Sequence, residues 1–136
     1  MLNKEFSTVV RVYIEDTDAG GVVYYVNYLK FMERARTEFL RNRGVPKPAL
    51  LTDDLLMVVA SAQIDYKRSA VLDDELRVTA SLEKRARSYL LFNQTIWRDE
   101  ELIAQGQVKV ACVSKHSMRP APFPNFFNAA LADVGE

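Results

Sequence analysis

Hydrophobic and polar positions follow two rhythms along this chain. Residues 6–14 carry Val9, Val10, Val12, Tyr13 and Ile14, a β-branched and aromatic run that predicts a first strand. From about residue 27 to residue 43 the rhythm turns helical, with Tyr28, Phe31, Met32, Ala35 and Phe39 three or four positions apart. The same spacing predicts Lys30, Glu33, Arg34, Arg36 and Arg41 largely on other faces. Arg41 and Arg43 suit the negative end of the helix dipole, and Gly44 followed by Pro46 predicts the helix end. Only strand rhythms follow. Residues 56–66 form one run, and 75–84 alternates cleanly, with Leu76, Val78, Ala80 and Leu82 on one side. Residues 89–98 and 102–114 complete the set. The links 85–88 and 99–101 are too short to join anything but antiparallel neighbours, so these last three strands are predicted to form a meander. The segment PNFFNAALADV, residues 124–134, predicts a short terminal helix.

One strand, one long helix and four further strands leave a single way to cover the apolar stripe of the helix. The expected fold is α+β: one antiparallel sheet of about five strands wrapped around one long central helix. Residues 1–136 are expected to form one domain, since no repeat, linker or low-complexity tract divides them. Open sheet edges predict self-association.

Composition narrows the partners. Eighteen basic residues balance eighteen acidic ones, so nothing in the total charge argues for nucleic acid or a membrane surface as a partner. A hydrophobic share of 49% fits a folded soluble chain. The lone cysteine, Cys112, has no disulfide partner within the chain, and that favours a reducing compartment. No apolar run approaches the ~20 residues of a membrane span, and the first residues lack the apolar core of a signal peptide. The expectation is a cytoplasmic protein.

The chemistry concentrates in "EDTDAGG", residues 15–21, directly before the helix. A calcium loop fits poorly: Asp16, Asp18 and Gly21 match its first, third and sixth positions, but Gly20 and Asn27 stand where the fifth and twelfth need oxygen ligands. Two readings remain. Such a stretch can be a solvated turn, with glycines supplying positive φ and aspartates bonding local backbone. Alternatively, a carboxylate held beside a helix N-terminus can act on a carbonyl whose developing oxyanion the helix N–H groups hold.

The run VRVYIEDTDAGGVVYYVNYLKFMERARTEFLR, residues 10–41, resembles the signature of the hotdog-fold acyl-CoA thioesterases, in particular the YbgC-like enzymes and 4-hydroxybenzoyl-CoA thioesterase. Asp16, Asp18, Gly21, Val22, Val23, Tyr24 and Tyr28 match the shared pattern in register, and the block DYKRSAVLDDELRV, residues 65–78, resembles a second one. The resemblance implies a single hotdog domain that hydrolyses acyl-CoA to the free acid and CoA. It implies homodimers or homotetramers with the site between protomers, and neither a metal nor a redox cofactor. It makes Asp18 the catalytic nucleophile or general base, and Asp16 a structural residue bonding loop backbone. Tyr25 would contribute its backbone N–H as oxyanion donor. Many YbgC-like enzymes carry histidine where this chain has Tyr25, so only the backbone role is implied there.

The resemblance extends to the link EKRARSY, residues 83–89, where Arg85, Arg87 and Ser88 match a basic–basic–serine link that holds CoA phosphates. Without it, a solvated hairpin tip is the simpler reading. Ser61 and Ser69 match groove-side positions. The other singletons read as ordinary: His116 as a surface residue, Cys112 as a small core residue, Met32 and Phe39 as core, and Trp97 as packing or interface. Acyl carrier protein could stand in place of CoA, and two non-catalytic alternatives remain: an acyl-CoA or acyl-carrier-protein binding module, and a scaffold in a lipid or envelope assembly.

Overall fold

The computed structural model describes residues 5–134; the expected domain's outermost residues, 1–4 and 135–136, lie outside them. Nine elements follow in order: β1 (Phe6–Arg11), a 3₁₀ turn (Ile14–Asp16), α1 (Val26–Asn42), β2 (Leu50–Thr52), β3 (Leu55–Tyr66), β4 (Glu75–Arg85), β5 (Tyr89–Arg98), β6 (Glu101–Ser114) and α2 (Asn125–Ala130). The strands form one sheet in the order β1-β4-β5-β6-β3-β2, and every pair is antiparallel. This is the expected α+β architecture, with β4, β5 and β6 as the predicted meander.

The sheet wraps α1. Tyr28, Phe31, Met32, Ala35 and Phe39 are all buried, and Leu76, Val78, Ala80 and Leu82 of β4 are buried as their alternation predicts. Phe39 meets Phe6 and Phe92 edge-on, at ring separations of 6.2 and 5.6 Å. The helix ends in a Schellman motif: Gly44 takes φ +95°, its N–H donates to Arg41 O, and Val45 N–H donates to Leu40 O. Cys112 is fully buried, and burial pushes its thiol pKa up.

Four expectations change. The sheet has six strands, because the three residues of β2 pair with the start of β3. The first strand stops at Arg11, since the Asp16 carboxylate takes the Tyr13 N–H at 2.8 Å and folds the chain into the 3₁₀ turn; Tyr13 and Ile14 stand exposed. The terminal helix shrinks to Asn125–Ala130. Arg36 leaves the solvent faces altogether: one position after Ala35 and three before Phe39, it lies on the buried side of α1 and bonds Gln94.

Candidate functional site

The acidic stretch folds as a small hairpin across the start of α1. Thr17 and Val23 bridge its neck, Asp18 N–H donates to Val22 O at 2.9 Å, and Gly21 N–H donates to Asp18 O at 3.0 Å. Gly21 sits at φ +84°, where an L side chain is strained, so the turn needs glycine. Asp16 serves the scaffold. Its carboxylate holds Tyr13, and its carbonyl accepts both Tyr24 N–H and Asn27 Nδ2 at 2.9 Å. Asn27, buried in the first turn of α1, thereby ties the loop to the helix.

Asp18 is only partly engaged. One carboxylate oxygen, Oδ1, accepts Gly20 N–H at 2.8 Å, while Oδ2 has no hydrogen-bond partner among the described residues, and the side chain is exposed. Across the hairpin, Tyr25 caps α1 with helical dihedrals and no side-chain cap. The N–H groups of Tyr25 and Val26 have no acceptor among the described residues, whereas Asn27 and Tyr28 bond back to Tyr24 and Tyr25. Unengaged amides at the positive end of a helix are donors for an oxyanion.

A strap behind the hairpin fixes its position. Val23 N–H donates to Ala70 O, Val22 bridges Val71, and the buried Ala70 N–H donates to Tyr28 Oη at 3.0 Å. Asp74 locks the strap in turn. It accepts Val71 N–H at 2.9 Å and Arg98 Nη1 at 2.7 Å in a half-buried ion pair. The block LDDEL is therefore a structural clasp, in which Asp73 takes φ +73° and Asp74 provides the carboxylate. Tyr66 joins from the end of β3, its ring 5.8 Å from that of Tyr25 and 5.6 Å from that of Tyr28. Burial raises the pKa of both Tyr28 and Tyr66. Of these residues only Tyr28 carried a helical signal in the sequence; the partners of Asn27, Asp74 and Tyr66 are set by tertiary contacts.

The other expected site residues lie elsewhere. Ser69 belongs to the strap region, and its carbonyl accepts Arg98 Nη1 at 3.2 Å. Ser61 falls just after a bulge in β3, between Val59 and Ser61. The bulge switches the alternation, so that Ile64 packs inward while Gln63 and Asp65, and with them Ser61, face away from α1. Arg85, Arg87 and Ser88 stand at the far end of the sheet. β4 leaves the strap at Glu75 and reaches the basic link at Arg85; eleven residues at about 3.3 Å each span about 36 Å. One chain therefore does not bring Asp18 and the link together.

The link is also firmer than a hairpin tip. Cys112 N–H donates to Ser88 O at 2.7 Å, and Phe123 N–H donates to Arg87 O at 3.0 Å. Arg85 Nε is buried without a hydrogen-bond acceptor among the described residues. Lys84 and Lys109 flank the Tyr89 ring, with Lys109 Nζ 4.3 Å from its centroid, and a hydrogen bond from Lys84 lowers the tyrosine pKa. His116 is exposed beside Asp54, and Trp97 donates to Thr95 Oγ1 beneath the Arg77 guanidinium. Among the described residues, no three His, Cys, Asp or Glu side chains gather as a metal site.

A sequence profile of the thioesterase-like superfamily matches residues 12–131. The acyl-CoA thioesterase YbgC of Haemophilus influenzae is 45% identical over 132 residues, 96% of this chain and 97% of that protein. The acyl-CoA thioester hydrolase YbgC of an Escherichia coli O6:H1 strain is 40% identical, covering 88% of this chain and 90% of its own. Among solved structures, a probable thioesterase from Bartonella henselae superposes with a TM-score of 0.81 at 30% identity, over 90% of this chain and 99% of that one. A 1,4-dihydroxy-2-naphthoyl-CoA thioesterase from Synechocystis shares the fold, with a TM-score of 0.85 at 24% identity over 96% and 98% of the two chains.

Proposed function

The chain belongs to the thioesterase-like superfamily and is a thioester hydrolase; from that premise we propose that it cleaves acyl-CoA at a site shared by two protomers, with Asp18 as the catalytic carboxylate. One observation carries this reading. An exposed carboxylate with a free oxygen stands in a hairpin pinned to a helix start whose first N–H groups are unengaged. The Tyr25 N–H receives the carbonyl oxygen, and Asp18 attacks the carbon or activates a water against it. The C–S bond then breaks and the thiolate takes a proton to leave as CoA thiol. The water that Asp18 activates, or one that hydrolyses the anhydride formed on Asp18, completes the free acid. The residues are suited to this chemistry without a metal or redox cofactor.

The open edge of the sheet supports a shared site. β2 covers β3 only at its start, so from Val58 to Tyr66 the outer edge has no strand beside it among the described residues. A two-fold axis across that edge continues the sheet antiparallel. It sets the Tyr66 end of one protomer, with its Asp18 hairpin, beside the Met57 end of the other, where Cys112 and the basic link lie. Arg85, Arg87 and Ser88 of one copy then hold the CoA phosphates of a substrate that Asp18 of the other cleaves, with Lys84 and Lys109 adding charge. Ser69 lies beside the Asp18 hairpin, and Ser61 stands at the dimer seam on the outer face of the sheet. Pairs of such dimers give a tetramer. No helix of the described residues is long and apolar enough to cross a membrane, and the lone buried thiol fits a reducing, cytoplasmic setting.

The test is release of free thiol from short, long and aromatic acyl-CoAs and from acyl-ACP, using the parent protein beside Asp18→Asn. The reading predicts turnover that falls by about 10²–10⁴-fold in the variant, the range of a lost acid–base group. Unchanged turnover in Asp18→Asn removes the assignment, and binding without turnover by the parent would make the chain a binding module.

A further inference from the structure

The most deeply buried cation near α1 takes no part in the chemistry above. Arg36 is 7% exposed, and its one acceptor among the described residues is Gln94 Oε1, 3.0 Å from Nη1. Gln94 is held in place, because its Nε2 donates to Met32 O at 3.0 Å and Thr79 O at 3.1 Å, which turns Oε1 towards Arg36. The remaining N–H donors of the guanidinium have no acceptor among the described residues and are not sealed from solvent, so they stay available to a group that enters beside them. Burial pushes the Arg36 pKa down and the charge of Glu33 pushes it back up.

Arg36 lines a groove of about 100 Å³ between α1 and the inner face of the sheet. Met57, Val59 and Phe92 form apolar walls, and Glu33 and Thr37 supply the other polar groups, with Thr37 Oγ1 donating to Glu33 at 2.9 Å. The groove adjoins the beginning of the free edge of β3, the place where the proposed two-fold axis sets the partner's Asp18 hairpin.

We propose that this groove receives the far end of the acyl group and that Arg36 hydrogen-bonds a neutral oxygen there, so that hydroxy- or oxo-acyl groups are preferred over plain alkyl chains; the proposal rests on the shared-site reading. The charges select the neutral oxygen. A hydroxyl accepts from Arg36, and Glu33, one turn away on the exposed side of the same groove, offsets the guanidinium charge that would otherwise draw a carboxylate end. Arg36 is thus a specificity-determining residue, remote from the reacting carbonyl.

The experiment uses non-hydrolysable thioether analogues of acyl-CoA in matched lengths, ending in methyl, hydroxyl or carboxylate. Calorimetry measures their binding to the parent, Arg36→Lys and Arg36→Met, and kcat/KM is measured on the corresponding thioesters. The expected result is a preference for the hydroxyl-ended analogue of about tenfold or more, as a hydrogen bond to a charged donor supports. That preference should disappear in Arg36→Met and survive in part in Arg36→Lys. Equal affinities in the parent overturn the proposal, as does an unchanged preference in Arg36→Met or a carboxylate preference in the parent. Thermal melting reports folding; should Arg36→Met not fold, the parent ratio and Arg36→Lys decide. The two readings fail separately. A hydroxyl preference without turnover would remove the Asp18 chemistry alone, and turnover without that preference would remove the Arg36 role alone.

Discussion

Replacing Tyr28 by phenylalanine deletes one oxygen atom, yet the structure predicts a loosened Asp18 hairpin. The Tyr28 hydroxyl is the acceptor of the Ala70 N–H, and both residues are out of solvent, at 3% and 0% exposure. In Tyr28→Phe that amide stays buried with no acceptor and no access for bulk water. An orphaned buried donor costs about 1–3 kcal/mol. The phenyl ring keeps the contacts with Phe31 and Tyr66, so no cavity cost is added. For 136 residues, an unfolding entropy of about 2.1 cal/mol/K per residue converts that loss into a fall in Tm of about 3–10 °C. The same strap carbonyl, Ala70 O, holds Val23 at the neck of the hairpin, so kcat should fall while KM moves less. Differential scanning calorimetry and steady-state kinetics on the purified variant measure both. A Tm within about 1 °C of the parent would refute the reasoning, because the strap would then not depend on this bond.

Four further outcomes are expected. Charge reversal in Arg85→Glu/Arg87→Glu should raise KM for acyl-CoA far more than it lowers kcat, and equal KM values would remove the link from the substrate site. Tyr25→Phe should keep most of the parental kcat, since only its backbone N–H is assigned a role; a large loss in steady-state turnover would give the hydroxyl one. Cys112 should resist thiol reagents at pH 7–8 and react once urea unfolds the chain. Its raised pKa contributes stability that is fully present below the unfolded thiol pKa and is lost as pH rises from there through the folded value, which denaturation across pH 8–10 would follow. Gly106→Ala should destabilise by about 1–3 kcal/mol, because a Cβ there would stand 2.5 Å from Gln63 O in the backbone of β3; a melting curve matching the parent contradicts this.

What the sequence reveals and what it hides differ in physical kind. The helix stripe and the alternation in β4 are legible because local periodicity reports which face is buried, and α1 begins and ends within one residue of its expected bounds. The hairpin meander is legible because short links leave a single pairing. Three features escape that logic. The pairing of β3 with β6 joins strands far apart in the chain, which no short-range pattern encodes. The bulge after Val59 reverses which residues face α1, so Ser61 turns outward although it shares the parity of Met57. Arg36 reads as a solvent-facing cation because its partner, Gln94, lies 58 residues away. The candidate loop divides in the same way: Asp18 is marked by its motif, whereas the strap and the Asp74–Arg98 pair that hold it are visible only in three dimensions.

The shared site is tested most directly by mixing two impaired variants, Asp18→Asn and Arg85→Glu/Arg87→Glu, and measuring thiol release at low acyl-CoA. Native mass spectrometry should first show that mixed dimers have formed. With the hairpin of one copy facing the basic link of the other, each mixed dimer carries one site with both elements intact. Random exchange makes half of the dimers mixed, so the account predicts recovery to about a quarter of parental activity. Activity in the mixture no higher than the average of the two separate variants, with mixed dimers present, would contradict it.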